Sequence, residues 1–301
     1  MCRWLAYAGA PITLDTLLTR PDHSLIDQSW LARQLYLHGS PETAQFREHD
    51  LPTNGDGFGV GWYGCRDFPG QYRDVRPAWN DANLHRLCEQ IESPMFLAHV
   101  RAAIGGDVSR ANCHPFRHGK WLFLHNGGIG GFSAMKRDLT FAVAPELYPG
   151  IEGNGDTEVM FHLALTYGLE DDPLPAIAKM VGRIEQARAE HGVQAQFRGT
   201  MCAADGEKLY VVRYSSKIDE YVESPTLYYS TGDEQLRTHD GGAEKLPGTA
   251  HIVASEPLEL HYSPRHWVEV PDWSSLVVEA GKDVVVADFA PEPVEALPAS
   301  E

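Results

Sequence analysis

Two stretches, MFLAHVR at positions 95–101 and WLFLHNG at positions 121–127, decide how the chain is organised. Each begins with an apolar run of the length and composition of a strand that is buried on both faces. Polar residues follow: Arg101 ends the first stretch, and Asn126 with Gly127 ends the second. Buried strands that lead into a cation and an amide place polar groups at a site. Taken alone, however, Asn126 and Gly127 are equally typical of a hairpin turn.

The N-terminus, Met1-Cys2-Arg3, carries a second signal. Because the residue after Met1 is small, we expect Met1 to be removed, which would leave Cys2 with a free α-amine beside its thiol. An α-amine has a pKa of about 7.7–8.0 and can act as a base near neutral pH, and a thiol with a pKa of about 8.5 is a good nucleophile once deprotonated. An N-terminal nucleophile that carries its own base is suited to acyl transfer. The alternative is that Cys2 is an ordinary small residue.

Read together, the two signals supply the parts that acyl transfer from an amide requires: a nucleophile, a base, an oxyanion stabiliser and a substrate anchor. Cys2 could supply the first two. Asn126, through its side-chain amide, and Gly127, through its backbone N–H, could stabilise the oxyanion. Arg101 could hold a substrate carboxylate through its planar guanidinium group.

A further candidate is Asp156, which follows Gly155 and opens an apolar pattern of helical period. A carboxylate at this point could bind a substrate ammonium group. It could also be a helix N-cap, which is a common role for aspartate. The two roles are compatible, because a capping residue lies at the edge of a loop.

The pattern resembles the class II glutamine amidotransferases of the N-terminal nucleophile hydrolase superfamily. The resemblance covers at least the first two thirds of the chain, and its motifs occur in the family's order: Met1-Cys2-Arg3, Asn54-Gly55-Asp56-Gly57-Phe58-Gly59, His99-Val100-Arg101, Asn112-Cys113-His114-Pro115, His125-Asn126-Gly127 and Gly155-Asp156-Thr157-Glu158. It implies an α+β fold, a four-layer αββα sandwich.

The resemblance also implies roles for single residues. Cys2 would attack the side-chain amide of glutamine, releasing ammonia and leaving a γ-glutamyl thioester that water cleaves. Arg101 would bind the α-carboxylate, Asp156 the α-ammonium group, and Asn126 with Gly127 the oxyanion. Cys113 stands where the family more often has a small apolar residue, so we interpret it as a packed neighbour of the site and not as a second nucleophile.

Composition excludes several classes of function. The net charge of −17, from 25 Lys and Arg against 42 Asp and Glu, argues against binding to nucleic acid or to anionic membranes. Five irregularly spaced cysteines fit a reducing compartment. With no signal peptide and no apolar run of membrane length, we expect a cytoplasmic location. The 14 histidines match no common zinc spacing, so we predict no metal and no cofactor.

The chain is expected to form a single domain over residues 2–290, with a loose tail at 291–301 that is rich in Pro, Ala and Glu. The polar stretch 38–51 is the best candidate for a variable insertion. Within the glycine-rich stretch 53–63, residues 58–63 are predicted to be a strand. A phosphate loop is not expected, because no lysine follows and the stretch does not lead into a helix.

Local patterns predict the remaining elements. Helices are expected at 15–20, 24–37, 80–91, 133–139, 156–167 and 174–189, and strands at 3–8, 58–63, 95–100, 121–124, 197–203, 209–214, 226–230 and 251–255. Gly9-Ala10-Pro11 is expected to end the first strand, 65–78 to be a loop, and 267–270 with 276–286 to form a closing pair of strands.

Three functions remain open. The first is a glutamine amidotransferase that works with a separate synthase subunit or as a self-sufficient glutaminase. The second is a hydrolase of larger γ-glutamyl amides, because residues 21–30 resemble the standalone γ-glutamyl hydrolases of ergothioneine biosynthesis. The third is a non-catalytic binding protein of the same fold. The acceptor of the nitrogen and the oligomeric state do not follow from the sequence.

Overall fold

The computed structural model describes residues 2–33, 53–103, 106–217, 224–231, 235–261 and 266–294. The strands are β1 (Arg3–Thr13), β2 (Phe58–Trp62), β3 (Gly70–Asp74), β4 (Glu92–Val100), β5 (Phe116–His118), β6 (Trp121–Ile129), β7 (Phe197–Ala204), β8 (Lys208–Ser215), β9 (Tyr228–Ser230), β10 (Gln235–Arg237), β11 (Ala243–Lys245), β12 (His251–Ala254), β13 (Trp267–Glu269), β14 (Ser274–Glu279) and β15 (Val285–Asp288). The α-helices are α1 (Asp15–Leu18), α2 (Leu25–Trp30), α3 (Ala82–Cys88), α4 (Phe132–Phe141), α5 (Asp156–Thr166) and α6 (Pro173–Glu190).

Two antiparallel sheets are stacked face to face. The seven-stranded sheet has the order β13-β9-β12-β1-β4-β2-β3, and the six-stranded sheet has the order β15-β14-β8-β7-β6-β5. Strands β10 and β11 form a separate two-stranded sheet. The pairing of β1 with β4 and of β6 with β7 accounts for the two long central ladders, so the N-terminal strand and both site-bearing strands lie inside the sheets and not at their edges.

Three hydrophobic cores separate four layers. The first packs α1, α2 and α3 on the outer face of the larger sheet, the second fills the space between the sheets, and the third packs α4, α5 and α6 on the outer face of the smaller sheet. Side chains alternate along each strand, so Trp4 and Leu124 belong to the inter-sheet core while Leu5 and Phe123 face the helices. The αββα sandwich expected from the sequence is confirmed.

The outer helices follow from their hydrophobic patterns. In α6, Ile177, Met180, Val181 and Ile184 recur at helical spacing and are fully buried. The helices predicted at 133–139, 156–167 and 174–189 are present as α4, α5 and α6. None of the helices in the described part of the chain combines the length and the apolar character needed to cross a bilayer.

Several predicted strand ends are wrong. Glycine and polar residues do not end a strand when hydrogen bonds to neighbouring strands continue past them. β1 continues through Gly9 to Thr13, with a register shift between Ala8 and Ile12 after which pairing with β4 resumes. β6 runs through Asn126 and Gly127 to Ile129, so these two residues are not a hairpin turn.

Two further expectations about the sheets are corrected. The stretch 65–78 contains the edge strand β3, which escapes a hydrophobic pattern because all its residues except Asp74 are partly exposed. β13 pairs with β9 in the larger sheet, whereas β14 pairs with β15 in the smaller one, so 267–270 and 276–286 do not form a closing pair. The helices α2 and α3 are shorter than predicted.

Some predictions fall on residues outside the described ranges. These are the variable insertion at 38–51, of which no residue is described, and the loose tail, of which only 291–294 is described. Within the described part of the tail, the Glu292 N–H donates to the Ala178 carbonyl of α6 at 3.0 Å.

The inter-sheet core predicts a stability difference between two leucines. Leu124 is fully buried between the sheets, whereas Leu87 on α3 is 36% exposed. We expect Leu124→Ala to lower the free energy of unfolding by about 2–5 kcal/mol, because it leaves a cavity in a packed core. Leu87→Ala is the matched control and is expected to have a much smaller effect. Urea unfolding measures both, and equal effects would contradict the assignment of Leu124 to a tightly packed core.

Candidate active site

A cavity of about 330 Å³ opens where the N-terminus, the ends of β4 and β6 and the first turn of α5 meet. This volume lies within the range of roughly 300–1,000 Å³ that small-molecule sites occupy. Five of the six residues proposed from the sequence line it: Cys2, Arg101, Gly127, Gly155 and Asp156. Residues as far apart in the chain as Cys2 and Asp156 are therefore brought to one place.

Cys2 precedes β1 and is partly exposed to the cavity. Its Sγ lies 3.4 Å from the backbone nitrogen of Ala102, the residue that follows Arg101. This proximity follows from the register of β1 on β4, in which Arg3 faces Val100.

The backbone of Cys2 is held by a buried ion pair. Arg3, 1% exposed, donates to the Cys2 carbonyl oxygen at 2.8 Å and to Glu256 Oε1 at 2.5 Å. Glu256 also contacts His23 Nε2 at 2.9 Å and accepts from the Arg33 N–H at 3.0 Å. Burial by itself would raise the pKa of the Glu256 carboxyl, but Arg3 and His23 outweigh it and hold this pKa below its usual range.

Arg101 is 5% exposed and lies at the end of β4. Its backbone N–H donates to the Gly57 carbonyl at 2.8 Å, and its carbonyl accepts from the Asp56 N–H at 2.9 Å. The Asp56 carboxylate in turn accepts from the Ala103 N–H at 2.8 Å. The glycine-rich stretch before β2 thus holds the backbone that carries Arg101, in agreement with its interpretation as a strand entry and not a phosphate loop.

Gly127 lines the cavity with its backbone at φ +147°. A Cβ at this position would overlap the Arg198 carbonyl oxygen, so only glycine fits. Asn126, one residue earlier, is buried and does not belong to the cavity lining. Its Oδ1 has no hydrogen-bond partner within the described ranges.

Alternation along the strands nevertheless places Asn126 on the side of the nucleophile. Asn126 shares the inner face of β6 with Leu122 and Leu124, and Cys2 precedes the inner-face residue Trp4 by two positions. The Trp4 indole donates to Thr200 Oγ1 at 2.9 Å, and Thr200 is the β7 partner of Asn126. A fully buried hydrogen bond therefore ties the two sheets together next to both residues.

Asp156 is the first residue of α5, and Gly155 is its N-cap. The hypothesis that Asp156 is the N-cap is therefore wrong. Its Oδ2 accepts from the Ile129 N–H of β6 at 2.8 Å. One oxygen of the carboxylate is thus held by the strand that carries Gly127.

The turn before α5 is fixed by Asn112, which the sequence places in a family motif without a role. Asn112 is buried, and its Oδ1 accepts from the N–H groups of Asn154 and Gly155 at 3.0 and 3.2 Å. Glu158 accepts from the Gly153 N–H at 2.6 Å, and burial raises the pKa of its carboxyl. These two side chains hold the segment that presents Gly155 and Asp156.

Further polar residues line the cavity, and the sequence assigns none of them a role: Asn112, His114, His125, Asn154, Thr157, Gln196 and Arg198. Asn112, His114, His125 and Thr157 stand inside the quoted motifs, whereas Arg198 enters the site through the pairing of β7 with β6. A sequence pattern that is local to each motif cannot reveal this pairing.

The histidines near the site are buried and neutral. Burial, with smaller contributions from Arg101 and His125, lowers the pKa of His99 to about 3, and burial also lowers the pKa of His114 and His125. Both ring nitrogens of His125 have hydrogen-bond partners, but both ring nitrogens of His99 are without one among the described residues. Within those residues, no group of three or more His, Cys, Asp or Glu side chains is arranged to hold a metal ion.

Cys113 is fully buried, and burial raises the pKa of its thiol. Its Sγ lies 3.4 Å from the Asp74 carbonyl oxygen. A protonated, inaccessible thiol is a poor nucleophile, in agreement with its interpretation as a packed neighbour.

Comparison with known proteins places these features in context. A family model described as glutamine amidotransferases class-II matches residues 43–299. The Saccharomyces cerevisiae protein named probable glutamine amidotransferase DUG3 is 33% identical over 308 residues, covering 93% of this chain and 82% of the relative. The γ-glutamyl-hercynylcysteine sulfoxide hydrolase of Mycobacterium tuberculosis is 29% identical over 167 residues, covering 53% of this chain and 66% of the relative.

Solved structures agree with the fold. A glutamine aminotransferase class-II domain protein from Silicibacter pomeroyi superposes with a TM-score of 0.66 at 33% identity, covering 97% of this chain and all of the other. The glutamine phosphoribosylpyrophosphate amidotransferase of B. subtilis has a TM-score of 0.58 at 15% identity over 97% of this chain and 50% of its own, which is a likeness of fold alone. The sandwich is thus of the N-terminal nucleophile hydrolase type that the resemblance implies.

The buried ion pair beneath Cys2 predicts a pH-dependent contribution to stability. Glu256→Ala leaves Arg3 buried without its counter-charge, so we expect a loss of about 3–5 kcal/mol in the free energy of unfolding at neutral pH. Because the folded-state pKa of Glu256 is depressed, its contribution is present above the usual glutamate pKa of about 4.3 and is lost as the pH falls through the lower folded-state value.

The difference between wild type and Glu256→Ala should therefore shrink in acid, measured by urea unfolding over a falling pH series. Glu244→Ala is the control, because Glu244 pairs with Arg20 at the surface, where such pairs contribute about 0–1 kcal/mol. A Glu256→Ala effect no larger than that of the control would refute the assignment.

Proposed function

This chain belongs to the class II glutamine amidotransferases, and we propose that it cleaves the γ-amide of glutamine with the Cys2 thiol as nucleophile. One observation carries the proposal: a thiol, a guanidinium group and a carboxylate, those of Cys2, Arg101 and Asp156, line a single cavity. A free amino-acid head group carries a carboxylate and an ammonium group, which the last two side chains complement in charge.

The proposed reaction begins after Met1 has been removed. The α-amine of Cys2 takes the thiol proton, and Sγ attacks the side-chain carbonyl carbon of the substrate. The oxygen of the tetrahedral intermediate gains a negative charge, which the Gly127 N–H and the Asn126 amide stabilise. Collapse of the intermediate breaks the C–N bond, the α-ammonium returns the proton to the leaving nitrogen, and ammonia departs. Water then cleaves the γ-glutamyl thioester to glutamate and regenerates the thiol.

The surroundings of Cys2 support this role. Arg3 donates to the carbonyl oxygen of Cys2, and the Ala102 N–H lies beside the Cys2 sulfur. Both contacts restrain the thiol without occupying the cavity. Such restraint favours reaction because the attacking atom does not have to be ordered during the step.

A second candidate is hydrolysis of a larger γ-glutamyl amide, which leaves an amine in place of ammonia. The likeness to the γ-glutamyl-hercynylcysteine sulfoxide hydrolase favours it. The nucleophile and the head-group contacts would be the same, so the two functions differ only in what the cavity accepts beyond the scissile bond. Assay of ammonia against amine release from matched glutamine and γ-glutamyl amides separates them. A separate synthase subunit belongs to the first candidate alone.

The third possibility, a non-catalytic protein of the same fold, is disfavoured by the site itself. A binding protein has no need for a restrained, partly exposed thiol such as that of Cys2. It also has no need for Gly127 in the same cavity, where only glycine fits. Cys2 is therefore the residue whose chemistry distinguishes an enzyme from a scaffold.

The proposal is tested by covalent labelling. A glutamine analogue with an electrophilic diazomethyl ketone in place of the side-chain amide should add one equivalent to the wild-type protein and none to Cys2→Ala, read by intact mass and by mass spectrometry of the N-terminal peptide. The same spectra report whether Met1 is absent. Cys65 is exposed, so Cys65→Ser is the control for labelling at a second accessible thiol. An adduct on Cys65 alone, or retained turnover in Cys2→Ala, would overturn the mechanism.

The oxyanion assignment makes a separate kinetic prediction. Asn126→Ala should lower kcat by about 10²–10³-fold with little change in KM, the usual effect of removing one oxyanion donor. Arg101→Ala, compared in the same assay, should mainly raise KM because its contact is made in the ground state and the transition state alike. If Asn126→Ala raises KM and leaves kcat unchanged, Asn126 has no role at the oxyanion.

A further inference from the structure

His125 lines the cavity, and its hydrogen bonds determine where its proton is. It is 1% exposed, and its Nε2 is 3.1 Å from the Arg198 carbonyl oxygen. A carbonyl oxygen can only accept, so Nε2 carries the hydrogen. In the neutral ring, Nδ1 is then an acceptor.

Nδ1 lies 3.1 Å from Thr157 Oγ1, and the same hydroxyl oxygen lies 3.2 Å from Asp156 Oδ1. A hydroxyl group has one hydrogen to donate. It can be given to His125 or to Asp156, but not to both. Thr157 is buried. The other oxygen of the Asp156 carboxylate, Oδ2, already accepts from the Ile129 N–H, so the Thr157 hydroxyl can affect only Oδ1.

The backbone around His125 is shaped to keep its ring in this position. Gly127 and Gly199 face each other across β6 and β7. A Cβ on either glycine would lie 2.8 Å from His125 Nε2, too close for van der Waals contact. The two glycines thus leave room for the bond from Nε2 to the Arg198 carbonyl.

We infer that His125 is a positioning residue that fixes the specificity of the site for a substrate ammonium group. As a neutral Nε2–H imidazole, it draws the Thr157 hydroxyl hydrogen to Nδ1 and leaves Asp156 Oδ1 as an open acceptor on the cavity. Burial, which disfavours the charged ring, supports this state. A protonated ring would instead donate to Thr157, whose hydrogen would then turn to Oδ1 and compete with the ligand.

The inference rests on the proposed role of Asp156, and its consequence is a preference between two ligands that differ in one group. L-Glutamate and glutarate share both carboxylates, but only glutamate has the α-ammonium group. A hydrogen bond to a charged group contributes enough for a preference of about 10-fold or more. His125 and Thr157 act on this preference through Asp156.

The experiment measures how each ligand protects Cys2 from iodoacetamide, followed at the N-terminal peptide by mass spectrometry. Wild type should be protected by glutamate at a concentration about 10-fold lower than by glutarate. His125→Leu removes the acceptor, so Thr157 turns to Asp156 and the preference should fall about 10-fold. Thr157→Val removes the competing hydrogen and should keep the preference.

The double variant His125→Leu/Thr157→Val decides between this account and a merely structural one. It should regain the wild-type preference, because no hydroxyl is left to occupy Oδ1. Losses that simply add in the double variant would overturn the inference. If wild type itself shows no preference, the proposed role of Asp156 fails instead, so the two failures are distinguishable.

A spectroscopic measurement covers the case in which His125→Leu does not fold. ¹⁵N NMR of histidine-labelled wild-type protein distinguishes the two neutral tautomers from the protonated ring. We expect the Nε2–H tautomer for His125 near neutral pH, with the resonance assigned by its loss in His125→Asn. A Nδ1–H or doubly protonated ring would contradict the inference.

Discussion

The antiparallel register of β1 on β4 is the constraint on which the site depends. With Arg3 opposite Val100, the residue before β1 and the residue after β4 meet at the same end of the sheet. Cys2 and Arg101 are those two residues. Because side chains alternate between faces, a slip of one position would move the thiol from the inter-sheet side to the helix side. The apolar residues of both strands fix the register, so the packing of the core also sets the position of Cys2 relative to Arg101.

The buried ionisable groups around the cavity differ in whether a neighbour offsets the cost of burying their charge. Burial lowers the pKa of His99, His114 and His125, and at His125 it outweighs the opposing effect of the Asp156 carboxylate. The pKa of Glu256 is instead lowered at similar depth, because Arg3 and His23 contact its carboxylate. The charged side chains that line the cavity are therefore few among the described residues, and they include Arg101 and Asp156. The acidic surface, with its net charge of −17, does not prevent this arrangement because it is set locally.

The sequence predicts the layers of the fold and five residues of the cavity lining, and it fails where distant segments decide the outcome. The long buried strands and the helices α4 to α6 carry hydrophobic patterns that are sufficient by themselves to predict these elements. β3 does not, since it is held as an edge strand by β2 and has no apolar face. The local sequence around Asp156 is typical of a helix cap, but its carboxylate accepts from the Ile129 N–H of β6. Glu256 and Arg198 have no local signal, because their partners lie on strands far away in the chain.

The ion pair beneath the nucleophile also sets an order of events during synthesis. Arg3 and Glu256 are separated by 253 positions, so the cysteine at the start of the chain leaves the ribosome long before the carboxylate that anchors its neighbour. Contacts of such long sequence separation form late, after the loop between them has been closed. A nascent or truncated chain would display the thiol without its anchor. The surroundings of Cys2 are thus completed only after residue 256 has been made, so the order of the proposed nucleophile depends on a segment far away in the chain.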